Sequence, residues 1–363
     1  MRSVFCVCFF FLVACGGNPL PYAARILVPS EDSKIGTLGA WATEELYRSS
    51  SGKTRTNAIL VSQKGRVLLE AYASEFGPNS LHPLWSVSKF LMNGVLGQAV
   101  REGRISLQDP VTDHLAESKE LLNKNLKVKD LLFFASGIDW KERYEWMPFQ
   151  SDILEILYGS GRTDIEGYVS SLGFSESPGL RVSYSSGDSN LLSAILTRTS
   201  GKDYPRKFLH SVGIESFVWE RDGKGVPISS SYLYLSARDL AKLGEFYKNE
   251  MRGNPSGVFP GDWIDRTFIS LEEKSLKYLN WIPFPSMGGH VYLNRHRFDS
   301  SRPFHPSLSG NAFFASGHWG QFLVVDPEKD LIVVRLGNDR GKRFPMGEFL
   351  DRLVPILEER GNL

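Results

Sequence analysis

Two kinds of hydrophobic pattern divide this chain. Short apolar runs rich in β-branched and aromatic residues lie towards its ends, whereas much of the middle carries apolar residues three or four positions apart. The runs predict strands at Ala58–Ser62, Arg66–Tyr72, Ala312–Ser316, Gln321–Val325 and Leu331–Arg335. Gln63-Lys-Gly65 joins the first two as a hairpin, and Asp326-Pro-Glu-Lys-Asp330 joins the last two. The spaced pattern predicts a helix from an N-cap at Ser33 to Arg48, with Ile35, Leu38, Ala42 and Leu46 on its apolar face. It predicts further helices at Val128–Ala135, Ser189–Thr199 and Met346–Glu359. Another opens at Ser86, carries Phe90, Leu91, Val95, Leu96 and Val100, and ends at Arg101-Glu-Gly-Arg104.

One arrangement accommodates this order: an α+β fold whose antiparallel sheet is built from both chain ends and flanked by helices, with a mostly helical lobe inserted. The expected lobes are 33–85 with 225–363, and 86–224. Residues 281–310, rich in Pro, Gly and aromatics (Phe284, Tyr292, Phe298, Phe304), read as a surface excursion or as a long loop placed to wall a pocket. No internal repeat or low-complexity tract is present.

Composition narrows the function classes. The chain has 363 residues, 42% hydrophobic and 23% charged, enough for a large core in one domain or two intimate lobes. Lys plus Arg number 42 and Asp plus Glu 41, so no global field favours nucleic acid. All three cysteines fall within the first fifteen residues. There, Met1-Arg2-Ser3 precedes an apolar run, Val4 to Val13, well short of the roughly 20 residues that span a bilayer. Residues 1–14 therefore read as a signal peptide. Leu12-Val13-Ala14-Cys15-Gly16 resembles a bacterial lipobox, which implies lipidation of Cys15, export, and anchoring to a bacterial cell membrane. Residues 15–32 would form a tether, with the globular domain at 33–363. Cleavage before Cys15 would leave a single cysteine and no internal disulfide, so stability must come from the core.

The sharpest chemical signal is Ser86-Val87-Ser88-Lys89. A serine hydroxyl is a weak nucleophile until a base withdraws its proton, and residues three apart on a helix are neighbours, about 5–6 Å at Cβ. A second Ser-x-x-Lys, Ser50 to Lys53, lies in the polar stretch Arg48 to Arg55 and reads as a loop. Competing chemistries lack their motifs. There is no Gly-x-Ser-x-Gly, no His-Glu-x-x-His, no Gly-x-Gly-x-x-Gly and no Walker-type loop, so neither a cofactor nor a metal is expected.

Around Ser86 the chain resembles the serine beta-lactamase and penicillin-binding-protein superfamily, closest to its class C-like branch of esterases and nylon-oligomer hydrolases. The resemblance rests on Ser86-Val-Ser-Lys89, Arg101 to Val111, Val128 to Ile138, Pro178 to Gly187, Ser236 to Gly244 and Gly317-His-Trp-Gly-Gln321, in the family's order. It implies an acyl-enzyme on Ser86, with Lys89 accepting its proton or holding a neighbouring base deprotonated, and Tyr184 shuttling the proton as a phenol that nearby cationic charge drives towards phenolate. Ser186 stands where the family has a substrate-binding asparagine, and its shorter hydroxyl cannot reproduce an amide's paired donor and acceptor. His318-Trp319-Gly320 falls at the third motif. By resemblance His318 binds or polarises the substrate, Gly320 permits close approach of the acyl group, and the N–H groups of Ser86 and Gln321 form an oxyanion hole. Trp140 and Tyr144 are candidate pocket walls. The expected activity is hydrolysis of an ester, amide or lactam carbonyl in a small-molecule or short peptide-like substrate. The other reading is a non-hydrolytic envelope lipoprotein that binds peptidoglycan or another ligand, against which the intact Ser, Lys and Tyr set argues.

Overall fold

The computed structural model describes residues 25–27, 33–50, 54–115, 117–118, 123, 125–144, 147–271, 284–340 and 343–361. Cys15 and most of the tether lie outside them. The chain opens with β1 (Arg25–Leu27), α1 (Ser33–Ser50), β2 (Thr56–Gln63), β3 (Arg66–Tyr72) and the short β4 (His82–Pro83). A helical stretch follows, comprising α2 (Ser88–Arg101), α3 (Val111–His114), α4 (Val128–Leu132), α5 (Asp152–Tyr158), α6 (Ile165–Ser171), α7 (Ser186–Ser200) and α8 (Tyr204–Ser211). Then come β5 (Val218–Trp219), β6 (Leu233–Leu235), α9 (Ala237–Met251) and α10 (Trp263–Thr267). The closing part is β7 (Pro285–Met287), β8 (Tyr292–His296), β9 (Phe313–Gly317), β10 (Gln321–Asp326), β11 (Leu331–Gly337) and α11 (Met346–Gly361).

Eight strands pair antiparallel in the order β1-β3-β2-β11-β10-β9-β8-β7, so the two chain ends meet where β2 pairs with β11. Their side chains sort by strand periodicity. Ile59, Val61, Val324 and Val333 face α1 and α11 and pack with Leu38, Trp41 and Phe349. Leu60, Leu323, Val325 and Ile332 face the other way and join the larger core under α2, α7 and α9. Every residue of β11 is buried, as expected for a central strand covered on both faces.

Three expectations change. Val128–Ala135 is helical only to Leu132, and Phe134 takes a positive φ of 55° as the chain turns into the site. Residues 284–310 are not a free loop, because β7 and β8 extend the sheet there; Trp281 lies outside the described residues. Ser50 is the last residue of α1 and not a loop residue, while Lys53 lies outside the described residues.

Candidate active site

Ser86 occupies a single 3₁₀ turn, Trp85–Val87, that runs straight into α2 at Ser88. It thus lies two residues before the regular helix, which begins at Ser88 and not at Ser86 as the apolar spacing predicts. Trp85 has φ 48°, a conformation that costs a non-glycine residue about 1–3 kcal/mol and persists only where the surroundings over-determine it. Here Tyr232, His318 and Trp319 pack on the indole, with ring centroids 5.6, 5.5 and 5.2 Å away. The strained turn that carries Ser86 packs against both α2 and β9.

Lys89 is 2% exposed, and its Nζ lies 2.9 Å from both Ser86 Oγ and the Ser230 carbonyl. Burial pulls its pKa down to about 8, opposed only by the charge of Glu142. A neutral amine there donates to Ser230 O and keeps its lone pair for the Ser86 proton. The Tyr184 ring lies 4.9 Å from Nζ, and Tyr184 lines the same cleft as Ser86 and Lys89. The expected drift towards phenolate is overturned: burial first, then Tyr292, Tyr144 and Glu142, hold the Tyr184 pKa well above its ordinary value. Tyr184 is therefore a neutral phenol, a donor and not a base.

A second phenol reaches the nucleophile. Tyr144 interacts with Ser86, stacks on His318 at 4.8 Å, and donates its own hydroxyl to Glu142 Oε1 at 2.8 Å. Glu142 also accepts from Trp140 Nε1 at 2.5 Å and from the N–H and hydroxyl of Ser186 at 2.9 and 2.8 Å. Ser186 is fully buried with its hydroxyl committed to this carboxylate, so it does not face a substrate. Glu142 lies between the two residues named as pocket walls, yet nothing in its sequence surroundings marks it as their anchor.

The third motif is displaced from its expected place. β8 pairs with β9 at Phe313 and Phe314, leaving the other end of β9 to border the nucleophile turn. Ala315 and Ser316 accordingly line the enclosed cleft with Ser86, Lys89, Tyr184 and His290. A Cβ at Gly317 would collide with the Leu84 carbonyl, so close approach to the nucleophile turn is the property of Gly317. Gly320, with φ 85°, sits in the β9–β10 turn, where a Cβ would overlap Asp339 and Arg335. Gln321 pairs with Gly317 in the ladder, on a strand enclosed between β9 and β11. Its side chain is fully buried, and its amide nitrogen donates to the carbonyls of His318, Trp319 and Gly337. Gly320 and Gln321 therefore build the turn, and only His318 of the expected set reaches the site wall.

The deep wall comes from the 284–310 segment. His290 Nδ1 donates to the Leu132 carbonyl at 2.6 Å, leaving Nε2 to accept from Ser189 Oγ at 2.8 Å. Its ring stacks on Phe134 at 4.2 Å, and burial pushes its pKa down to about 3, so it is neutral. Of the four aromatic residues expected to offer surface there, Tyr292 reaches the cleft, parallel to Tyr184 at 6.4 Å. Phe304 packs instead with the core beneath α11. Five non-glycine residues of positive φ, Trp85, Phe134, Tyr232, His290 and Trp319, gather in and around this site. Among the described residues no group of three or more His, Cys, Asp or Glu is placed to hold a metal ion.

The family model described as Beta-lactamase matches residues 45–354. The chain belongs to the beta-lactamase family. It is 27% identical over 311 residues, 79% of this chain and 73% of the relative, to the 6-aminohexanoate-dimer hydrolase of Paenarthrobacter ureafaciens. The fold is shared with EstCE1, a hydrolase with promiscuous acyltransferase activity (TM-score 0.68, 16% identity, 88% of this chain and 99% of that one). It is also shared with an octameric penicillin-binding protein homologue from Pyrococcus abyssi (TM-score 0.65, 19% identity, 89% and 77%). This beta-lactamase-family chain is a serine hydrolase.

Proposed function

We propose that the protein cleaves ester or amide bonds of small or short peptide-like substrates through an acyl-enzyme on Ser86. The observation that carries this reading is the 2.9 Å contact between Ser86 Oγ and a buried Lys89 whose pKa is pulled to about 8. Neutral Lys89 takes the Ser86 proton as Oγ attacks the carbonyl carbon. The oxyanion forms against backbone N–H groups of Ser86 and of the Gly317–His318 corner, the β9 end that borders the nucleophile turn, and no longer against Gln321. Neutral Tyr184 passes its proton to the departing oxygen or nitrogen and recovers one from protonated Lys89; water then attacks the acyl carbonyl as neutral Lys89 takes its proton, and that proton returns to Ser86 Oγ as the acid leaves.

The relative's name supports an amide-type substrate, and the commitment of Ser186 to Glu142 argues against a grip on a beta-lactam side chain. Turnover of a short acyl ester is therefore expected to exceed that of a chromogenic cephalosporin. The test of the mechanism is intact-mass analysis after incubation with a fluorophosphonate probe: one adduct on the native protein, none on Ser86→Ala. An adduct that survives in the variant overturns the assignment. The lipobox supports lipidation of Cys15 and anchoring to a cell membrane; among the described residues no helix is long and apolar enough to cross one. Full-length protein should partition into detergent and Cys15→Ala should not.

A further inference from the structure

Arg335 is fully buried, and each of its five guanidinium N–H groups has a partner. Nε and Nη2 donate to Thr56 Oγ1 at 3.1 and 2.9 Å, Nη2 also to Asp339 Oδ1 at 2.9 Å, and Nη1 to Asp339 Oδ2 and the Gly320 carbonyl, both at 2.7 Å. The plane of the group lies on Phe344, 3.7 Å from the ring centroid. Asp339 accepts in addition from the backbone N–H of Arg55 at 2.7 Å, and its own N–H donates to the Trp319 carbonyl at 3.1 Å. Two glycines are required by this ion pair: a Cβ at Gly320 or at Gly337 would overlap the guanidinium.

The partners converge on one short segment. Arg335 holds the carbonyl of Gly320, Asp339 holds that of Trp319, and the Gln321 side chain holds those of His318 and Trp319. The other side of the same turn carries His318 and Trp319 against Trp85, and Gly317 against the Leu84 carbonyl. Trp85 and Leu84 immediately precede the nucleophile.

We infer that Arg335 and Asp339 form a buried clamp that sets the distance between the β9–β10 turn and the Ser86 turn, which makes both of them positioning residues for hydrolysis. Arginine suits this role because its planar fork fixes two directions at once, where a lysine supplies only a point charge. The inference rests on the Ser86 acyl-enzyme reading and on the oxyanion donor at the Gly317–His318 corner. A shift of about 1 Å in such a donor costs on the order of 100-fold in rate.

The test compares native protein, Ser86→Ala, Asp339→Asn, and the double variant Arg335→Met/Asp339→Leu, which removes both charges so that neither is left buried alone. Circular dichroism and thermal melting establish folding. Readouts are kcat and KM for a nitrophenyl ester, and affinity for an arylboronic acid, whose tetrahedral adduct mimics the oxyanion. The expected result for the folded double variant is a fall of about 100-fold in kcat, an equal loss of boronate affinity, and little change in KM. Asp339→Asn should lose less of both, and it decides the question if the double variant does not fold. A folded variant with native kcat and native boronate affinity reduces the clamp to a stability element and overturns the proposal. Hydrolysis that persists in Ser86→Ala overturns the acyl-enzyme reading instead, so the two failures are distinct.

Discussion

Lys89 and Arg335 are two buried cations handled in opposite ways. Lys89 meets only neutral oxygens, those of Ser86 and Ser230, and the nearest acidic influence, Glu142, does not bond to it. Arg335 is gripped by a carboxylate, a hydroxyl, a carbonyl and an aromatic face. A charge removed from water without a counter-charge shifts towards its neutral form. One removed with complete pairing stays charged and fixes its surroundings. The first environment produces a base at the reaction centre, and the second a rigid support behind it.

Exchanging the roles is the strongest way to break this contrast. Lys89→Met should lower kcat by about 10²–10⁴, as should Tyr184→Phe, and the double variant should lose less than the product because the two act as a unit. In the native protein kcat/KM should rise with pH and level off above about 8, as Lys89 loses the proton that blocks it. Activity that is flat from pH 6 to 9 removes Lys89 from the role of base.

Stability should respond with opposite signs at the two sites. Asp339→Ala leaves the Arg335 charge buried without its carboxylate, which should cost about 3–5 kcal/mol in urea unfolding. Lys89→Met should instead stabilise, by up to about 3 kcal/mol at neutral pH. The folded-state pKa of Lys89, about 8, lies below its ordinary value of 10.5, so the unfolded chain binds the extra proton. Native stability from this group is therefore lowest below pH 8 and recovers towards pH 10.5, and the gain from Lys89→Met should fade across the same window. A destabilised Lys89→Met at pH 7 would show that its two hydrogen bonds outweigh desolvation.

The smallest expected difference separates two glycines of similar backbone. Gly65 has φ 71° with open space around its Cβ position, so Gly65→Ala should cost only about 1–2 kcal/mol of left-handed strain. Gly320→Ala adds overlap with the ion pair to that strain and should cost more. Equal melting temperatures for the two variants would mean that the clamp yields easily.

The sequence legibly carried what depends on near neighbours. Strand runs, helix periodicity, the hairpin at Gln63-Lys-Gly65 and the Ser86–Lys89 spacing are consequences of local geometry, and the residues that encode them are adjacent in the chain. That both chain ends share one antiparallel sheet was legible too, from the order of strand runs and helices, but the pairing of β2 with β11 came from the structure. Which glycine approaches the nucleophile was not. Gly317 and Gly320 are equivalent as letters, and only the Leu84 carbonyl on one side and the Arg335–Asp339 pair on the other tell them apart. The same holds for Glu142, which becomes an anchor only once α7 places Ser186 beside it, and for Tyr184, whose protonation follows from burial among Tyr144, Tyr292 and Glu142. Backbone hydrogen-bonding and side-chain periodicity act over a few residues and leave a trace in sequence. Desolvation and steric exclusion act through space, between segments far apart in the chain, and only the assembled tertiary structure sets them.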